Sequence, residues 1–348
     1  MSDKAIKLAE RLVREHSLEI SEYTSLIDGR TPEIADFLAK AARAEREKIY
    51  SNKVFIRGLI EISNICKNDC LYCGIRASNR NCERYRLTPE EILECCKSGY
   101  ELGFRTFVLQ GGEDGYFTDG IISELIRGIK HAHPDCAVTL SLGERSRKSY
   151  ALLREAGADR YLLRHESANA DHYGKLHPPS MLYESRIRCL WALRELGYQV
   201  GCGFMVGSPY QTSSDLANDL KFIERFKPDM CGIGPFIPQS DTPFGKERAG
   251  GLDLTCYLLS ILRIIKPNIL LPSTTALGSI HENGREMGIL AGANVVMPNL
   301  SPGSVRKKYA LYDNKATDGS EAAEGLYELK RRILSVGCEI STDRGDPR

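Results

Sequence analysis

The feature that most constrains the fold is an alternation of short apolar runs with longer amphipathic stretches, which begins near Val54. Runs rich in β-branched and aromatic residues predict strands, and amphipathic stretches of 12 to 18 residues predict helices. Parallel strands separated by helices can close into a barrel, which leaves no exposed sheet edge. We therefore predict an α/β fold, a complete (β/α)8 TIM barrel. Its eight strands are expected at 54–62, 105–110, 136–141, 159–164, 199–206, 229–235, 269–274 and 294–297.

An open, doubly wound sheet is the alternative architecture. Such a sheet typically carries Gly-x-Gly-x-x-Gly directly after its first strand. The nearest candidate, Gly201, Gly203 and Gly207, has a different spacing and lies far along the chain. The pattern therefore favours the barrel.

Helical segments precede the first predicted strand. The second of them, 31–50, has Thr31 as a candidate N-cap and Pro32 at the first helical position. After Lys330 the chain becomes polar and resembles a frayed terminus. We predict an N-terminal helical extension at 1–50, a barrel at 51–337 and a C-terminal tail at 338–348.

Charge and composition narrow the classes of partner. The chain has 47 basic and 46 acidic residues, a net charge of +1, and no block of like charges. We therefore expect neither nucleic acid nor an anionic membrane as a partner, and a small substrate instead. No apolar stretch approaches the roughly 18 residues that span a bilayer, and the first residues do not form a signal peptide. We expect a cytoplasmic protein, and twelve cysteines in a reducing compartment indicate metal or redox chemistry.

Three of the cysteines have the spacing Cys-x3-Cys-x2-Cys, at Cys66, Cys70 and Cys73, just after the first predicted strand. Such a loop can ligate three irons of a 4Fe-4S cluster and leave the fourth iron without a protein ligand. A structural zinc site is the alternative, but it typically needs a second Cys or His pair, and none with matching spacing is evident. The other nine cysteines lack ligand spacing and are expected to be free thiols, most of them buried.

Polar residues follow most of the predicted strands. In a barrel the chemistry lies on the loops at the carboxyl ends of the strands, so these residues are the candidates for one site. After the cysteine loop, the polar or glycine-rich strand ends are 110–114, 141–144, 164–166, 204–207, 234–238, 273–275 and 297–299.

The cysteine motif, with the aromatic Tyr72 before its last cysteine, resembles that of the radical S-adenosylmethionine (SAM) superfamily. The stretch 111–114, Gly-Gly-Glu-Asp, is similar to the superfamily motif whose backbone receives the methionine amino group. Over roughly residues 50 to 312 the chain resembles the HydE maturases of iron-only (FeFe) hydrogenase more than it resembles biotin synthase or methylornithine synthase. The stretches that carry this finer resemblance are 84–88, 141–144, 160–166, 232–238, 241–243 and 291–299.

The resemblance implies two cofactors and a set of residues for each. One 4Fe-4S cluster would be held by the three cysteines, and S-adenosyl-L-methionine would chelate the open iron. Glu166 is expected to accept hydrogen bonds from the cofactor, and Arg186 to pair with a carboxylate bidentately. The cofactor-binding candidates are Gly111, Gly112, Glu113, Ser141, Glu144, Arg164, Glu166 and Arg186. The substrate-binding candidates are Met230, Thr274, Thr275, Met297, Tyr309 and Tyr312, with Arg164 as a further one.

The resemblance also implies an activity. Anaerobic reductive cleavage of SAM would give a 5′-deoxyadenosyl radical, which acts on a cysteine-ligated iron carbonyl cyanide precursor of the hydrogenase cluster. A low-potential electron donor and other hydrogenase maturases are the expected partners. The alternatives are a radical enzyme with a small organic substrate, of the biotin synthase or methylornithine synthase type, and a non-catalytic iron–sulfur carrier. A carrier needs no cofactor pocket, so the stretch 111–114 and Glu166 argue against it.

The chain departs from the HydE pattern in two places. Some HydE proteins bind a second cluster with three C-terminal cysteines, whereas this chain has only Cys338 there, so we expect no second cluster. Gly111 stands where related sequences tend to have serine, which removes a hydroxyl beside the cofactor.

Overall fold

The computed structural model describes residues 2–348 and opens with three helices. These are α1 (Ser2–Glu15), α2 (Ile20–Asp28) and α3 (Pro32–Tyr50). The Thr31 hydroxyl accepts a hydrogen bond from the Ile34 amide at 3.4 Å, as the sequence predicts for an N-cap followed by proline.

Eleven strands and eleven further helices follow. The strands are β1 (Lys53–Ile56), β2 (Gly58–Ser63), β3 (Thr106–Gly111), β4 (Ala137–Ser141), β5 (Arg160–Leu162), β6 (Gln199–Cys202), β7 (Met205–Val206), β8 (Met230–Cys231), β9 (Gly234–Pro235), β10 (Val295–Val296) and β11 (Glu339–Ser341). The helices are α4 (Pro89–Glu101), α5 (Asp119–Ala132), α6 (Arg147–Glu155), α7 (Ala170–Leu176), α8 (Tyr183–Glu195), α9 (Ser213–Phe226), α10 (Leu252–Ile265), α11 (Thr275–Ile280), α12 (Gly284–Leu290), α13 (Gly303–Arg306) and α14 (Leu326–Ser335). None of the helices between residues 2 and 348 is both long and apolar enough to cross a membrane.

All strand pairs are parallel. The main sheet has the order β2-β3-β4-β5-β6-β8, and two smaller sheets have the orders β10-β1-β11 and β7-β9. Single parallel bridges also join Met230 to Leu270, Pro272 to Val295 and Leu59 to Asn299. The predicted α/β class with a parallel sheet is therefore confirmed.

Several predicted strands are shorter or divided. The run 269–274 forms only bridges, because Pro272 has no N–H to donate to a ladder. The runs 199–206 and 229–235 each divide in two, at Gly203 and Gly232. A Cβ atom on Gly203 would lie 2.0 Å from the Gly232 carbonyl oxygen, so the two backbones approach each other closely where their ladders break.

The C-terminal residues correct the sequence prediction of a frayed tail. Strand β11 pairs with β1, and the carbonyl of Arg344 accepts a hydrogen bond from Thr106 at 2.8 Å. Asp346 pairs with the buried Arg160 at 2.7 Å, and the buried Arg57 donates to the Gly345 carbonyl at 3.3 Å. The polar tail is ordered because it supplies acceptors to arginines buried near the amino ends of the strands.

The N-terminal helices share one hydrophobic core with the sheet. Leu12, Leu26 and Leu38 are fully buried and belong to the same cluster as Leu262 of α10 and Phe107 of β3. The N-terminal helices and the sheet therefore pack around one core. The carboxyl ends of the strands remain free to form a site.

Candidate active site

One large cavity opens at the carboxyl ends of the strands. Its volume is about 410 Å³, and it is lined by the three cysteines of the motif and by every other predicted site residue except Glu144. Residues from strands and loops more than 240 positions apart thus meet around one space, as the barrel prediction requires.

The three cysteines lie on the loop that follows β2. Burial raises the pKa of the Cys66 and Cys73 thiols, and it raises that of Cys70 to about 12. The metal-free loop therefore holds protonated thiols, which must lose their protons when they bind iron. No three or more His, Cys, Asp or Glu side chains between residues 2 and 348 converge as they would around a single metal ion. In a cluster each thiolate binds a different iron, so the sulfur atoms need not converge on one point.

Polar contacts within the protein hold the cysteine loop. Asp69 pairs with Arg76 through two hydrogen bonds of 2.7 and 2.5 Å, and it also accepts from the Ser78 amide at 3.0 Å. The Leu71 amide donates to the Leu176 carbonyl at 3.0 Å, which fastens the loop to the end of α7. The loop is therefore shaped by groups other than its cysteines.

The loop after β3 lies directly against the cysteine loop. A Cβ atom on Gly112 would lie 2.3 Å from the Ile65 carbonyl oxygen and 2.7 Å from Cβ of Cys66, so only glycine fits this approach. The amide of the next residue, Glu113, points to Sγ of Cys66 at 3.4 Å. Backbone groups of the stretch 111–113 thus border the position of the cysteines.

The Glu113 side chain faces the loop after β4. It accepts a hydrogen bond from the Glu144 amide at 2.9 Å and pairs with Lys67 at 3.1 Å. It packs over Gly143, whose φ of +71° belongs to the left-handed region that favours glycine. The Glu113 carboxylate therefore joins three loops, and the residue also lines the cavity.

Glu166 is a buried carboxylate with an unused oxygen. Its Oε2 atom has no hydrogen-bond partner between residues 2 and 348, although Nη2 of Arg164 lies 3.2 Å away in a charge contact. Its φ of +64° is unusual for a residue other than glycine, and the Gly203 carbonyl holds its amide at 3.0 Å. Glu166 thus lines the cavity with a carboxylate of which one oxygen is held only by the charge of Arg164.

Arg186 is bound within the protein through two of its three guanidinium nitrogen atoms. Its Nε atom donates to Glu144 at 2.7 Å and its Nη1 atom to the Arg164 carbonyl at 2.6 Å. Each Nη atom carries two N–H groups, so one N–H of Nη1 and both of Nη2 remain for a ligand, and bidentate pairing with a cofactor carboxylate stays a prediction. Glu144 itself lies beside a second, smaller cavity of about 320 Å³.

The predicted substrate-binding residues line the same cavity and come later in the sequence, between residues 230 and 312. The Thr274 hydroxyl is buried without a hydrogen-bond partner among residues 2–348, whereas that of Thr275 donates to Glu321 at 2.8 Å. Sδ of Met230 accepts from Arg57 at 2.9 Å. These residues give the wall hydroxyl groups and soft thioether sulfur.

Sequence reasoning missed a buried ion pair in the same wall. Lys315 pairs with Glu61, whose other oxygen accepts from the Asn299 amide group at 2.8 Å. Lys315 also donates to the Tyr309 carbonyl at 3.0 Å. Burial raises the pKa of Glu61, and the neighbouring ammonium group acts in the opposite direction. Glu61, an acidic residue within the apolar strand β2, was the sequence signal that could have revealed this pair.

His165 adjoins Glu166 but lies outside the cavity. It is fully buried, packs against Phe204 and Phe222, and lies 3.2 Å from Asp219. Burial lowers its pKa to about 3, so the imidazole is neutral. The structure gives it a packing role.

Comparisons with known proteins identify the family of this chain. A sequence profile of the Radical SAM superfamily matches residues 60–223. The FeFe hydrogenase maturase subunit HydE of Thermotoga maritima is 46% identical over 302 residues, which cover 87% of this chain and 85% of that protein. The 3-methylornithine synthase of Methanosarcina barkeri is 28% identical, with 97% and 94% covered.

Solved structures give the same result for the fold. A crystal structure of methylornithine synthase (PylB) superposes with a TM-score of 0.85 at 27% identity and covers 96% of this chain and 97% of that one. The maturase HydG superposes with a TM-score of 0.81 at 21% identity, covering 98% of this chain and 77% of that one, which shows a shared fold. The chain therefore belongs to the radical SAM superfamily, whose members use a 4Fe-4S cluster and S-adenosylmethionine, and within it to the enzymes of the HydE type.

Proposed function

We propose that this enzyme reductively cleaves S-adenosylmethionine and acts on a cysteine-ligated iron carbonyl cyanide complex during the maturation of FeFe hydrogenase. One observation carries the proposal. The cysteine loop, the stretch 111–113 and Glu166 line one cavity in a chain that is 46% identical to a HydE maturase.

The cysteine loop fits the cluster. Cys66, Cys70 and Cys73 would each bind one iron, which leaves the fourth iron without a protein ligand and free for SAM. When bound, the cluster supplies one electron to the sulfonium of SAM, which breaks the bond from sulfur to C5′ and yields methionine and a 5′-deoxyadenosyl radical. The Glu113 amide, 3.4 Å from Sγ of Cys66, would stabilise negative charge on that thiolate.

Polar groups of the cavity wall fit the SAM molecule. Carbonyl oxygens of the stretch 111–113 would accept from its amino group, two of them in addition to the backbone amides of Asp114 and Lys67 that they already bind. Oε2 of Glu166 would accept from a further donor group of the cofactor. Nε of Arg164 is buried without a hydrogen-bond partner among residues 2–348, and its Nη2 atom lies 3.2 Å from Oε2 of Glu166, so we propose that the pair binds polar groups of the cofactor together. Arg186 would offer one N–H group of Nη1 and both of Nη2, and we propose that Ser141 completes this wall.

The remaining part of the cavity fits the substrate. The free hydroxyl of Thr274 can donate to a carboxylate or cyanide group. Met230 and Met297 present apolar, polarisable surface, and we propose that Thr275, Tyr309 and Tyr312 complete the pocket. An enclosed wall of this kind would direct the radical to the substrate sulfur and keep it from water.

We also propose that the barrel is complete. The bridges from Met230 to Leu270 and from Pro272 to Val295 continue the main sheet from β8 to β10. β10 pairs with β1, and the bridge from Leu59 to Asn299 returns the ring to β2. Closure would limit access to the cavity from the sides. We propose that a low-potential protein supplies electrons and that other hydrogenase maturases exchange substrate and product with this enzyme.

A small organic substrate is the second candidate, because methylornithine synthase shares the fold over almost the full length of both chains. Anaerobic assays with reconstituted, dithionite-reduced enzyme distinguish the two by measuring 5′-deoxyadenosine with the iron complex, with lysine or with dethiobiotin. We expect the iron complex alone to stimulate cleavage, and stimulation by lysine or dethiobiotin would refute the maturase assignment.

A matched pair of variants tests the substrate wall. Thr274→Val removes a hydroxyl without a hydrogen-bond partner from the cavity wall, whereas Thr255→Val removes the hydroxyl of a fully buried residue on α10, which is bonded to Gly251. We expect only Thr274→Val to weaken the stimulation by the iron complex. If the iron complex stimulates cleavage equally in both variants, Thr274 does not bind the substrate.

A further inference from the structure

One guanidinium group connects the whole cysteine loop. Nη1 of Arg84 donates to the carbonyls of Asn64 at 2.6 Å and Ile75 at 2.9 Å. Its Nη2 atom donates to the carbonyls of Arg76 at 2.6 Å and Asn79 at 3.1 Å. These four acceptors enclose the segment 64–79, which contains all three cysteines of the motif. A single side chain thus links the first residue of the segment to its last five residues.

Arg84 also carries a charge without a carboxylate partner. The neighbouring Arg86 pairs with Asp114 at 2.6 Å and Arg76 pairs with Asp69 at 2.5 Å, whereas every hydrogen bond of Arg84 within residues 2–348 goes to a backbone carbonyl. A half-buried cation in such surroundings is stabilised when negative charge is placed nearby.

We propose that Arg84 is a positioning residue for the iron–sulfur cluster, which shapes the segment 64–79 before iron binds and compensates the charge of the iron-bound thiolates. The inference rests on the proposed function in that it takes Cys66, Cys70 and Cys73 as the ligands. A loop held in its binding shape loses less conformational entropy when the cluster enters. Arginine suits both tasks because its planar fork reaches several carbonyls at once, whereas a lysine ammonium group is a single point.

The first experiment uses the metal-free protein. Amide hydrogen exchange is compared among the wild type, Arg84→Met, Arg84→Lys and the control Arg105→Met, since Arg105 also donates to two backbone carbonyls but far from the loop, at Tyr100 and Phe104. We expect exchange in the segment 64–79 to become at least about tenfold faster in both Arg84 variants and to stay unchanged in the control. Unchanged exchange in this segment would overturn the inference. If Arg84→Met does not fold, the exchange of Arg84→Lys alone tests the inference.

The second experiment separates charge from geometry. The midpoint potential of the reconstituted cluster is measured in the same variants by redox titration. We expect Arg84→Met to shift it to a more negative value, since a nearby cation favours the reduced cluster, and Arg84→Lys to shift it less. Equal potentials in all variants would overturn the charge role. A wild-type protein that binds no iron would instead refute the proposed function and leave the exchange result standing.

Discussion

Replacing Gly112 by alanine tests the contact between the two loops that border the proposed cofactor. The added Cβ atom would lie 2.3 Å from the Ile65 carbonyl oxygen, about 1 Å short of the closest comfortable carbon–oxygen separation of about 3.3 Å. The loops must therefore separate by about 1 Å, at a cost of about 1–3 kcal/mol for overpacking. A displacement of that size between reacting groups lowers a rate by about 100-fold. We expect Gly112→Ala to bind SAM weakly and to form 5′-deoxyadenosine about 100-fold more slowly.

The same loop offers a matched control. A Cβ atom on Gly115 would meet no atom within 4 Å, so Gly115→Ala makes the same chemical change without a clash. Both variants are reconstituted, their iron content is measured, and SAM affinity and cleavage are then determined anaerobically. If Gly112→Ala cleaves SAM as fast as the wild type, or if Gly115→Ala is equally impaired, the close approach of these loops does not position the cofactor.

Three further predictions concern stability, each measured by urea unfolding of the metal-free protein. Burial lowers the pKa of His177 from 6.5 to about 4, so the unfolded chain binds the proton more readily. The free energy of unfolding should then fall as the pH drops from 6.5 towards 4, by about 1 kcal/mol per pH unit, and His177→Gln should flatten this fall. Asp346→Ala removes the carboxylate partner of the buried Arg160 and should lower the free energy of unfolding by about 2 kcal/mol. Asp343 pairs with the part-exposed Lys53, so Asp343→Ala should lower it by less than about 1 kcal/mol. Lys315→Met should cost about 3 kcal/mol because it leaves Glu61 charged and buried, and adding Glu61→Gln should recover part of that loss. A flat pH dependence, equal costs of the two aspartate variants or no recovery in the double variant would contradict the respective argument.

Features set by local sequence could be predicted. Thr88 and Glu91 form a capping box at the start of α4, and Gly103, Gly157 and Gly197 have positive φ just after the ends of α4, α6 and α8. The cysteine spacing likewise points to one loop, and the periodicity gives the parallel sheet. In each case the interacting groups are a few residues apart, so propensity and spacing contain the required information.

Features set by distant contacts could not be predicted. The pair of Glu61 and Lys315 joins residues 254 positions apart, and the tail is ordered by arginines on strands far away in sequence. Arg186 could be recognised as a site residue, but its bonds to Glu144 and to the Arg164 carbonyl depend on how three loops pack. A single sequence does not specify such pairings, because they follow from the tertiary arrangement. The division into extension, barrel and tail at residues 50 and 337 stays a prediction.

The central claim is that Cys66, Cys70 and Cys73 hold the cluster that cleaves SAM. The most direct measurement is the yield of methionine and 5′-deoxyadenosine from SAM, under anaerobic conditions with dithionite, for the reconstituted wild type, Cys70→Ala and the control Cys95→Ala. Cys95 is a buried thiol on α4, outside the cavity. We expect methionine and 5′-deoxyadenosine in equal amounts, with the same yield from the wild type and the control, and neither product from Cys70→Ala. Cleavage that persists in Cys70→Ala, or no cleavage by a wild-type protein with a full cluster, would contradict the central claim.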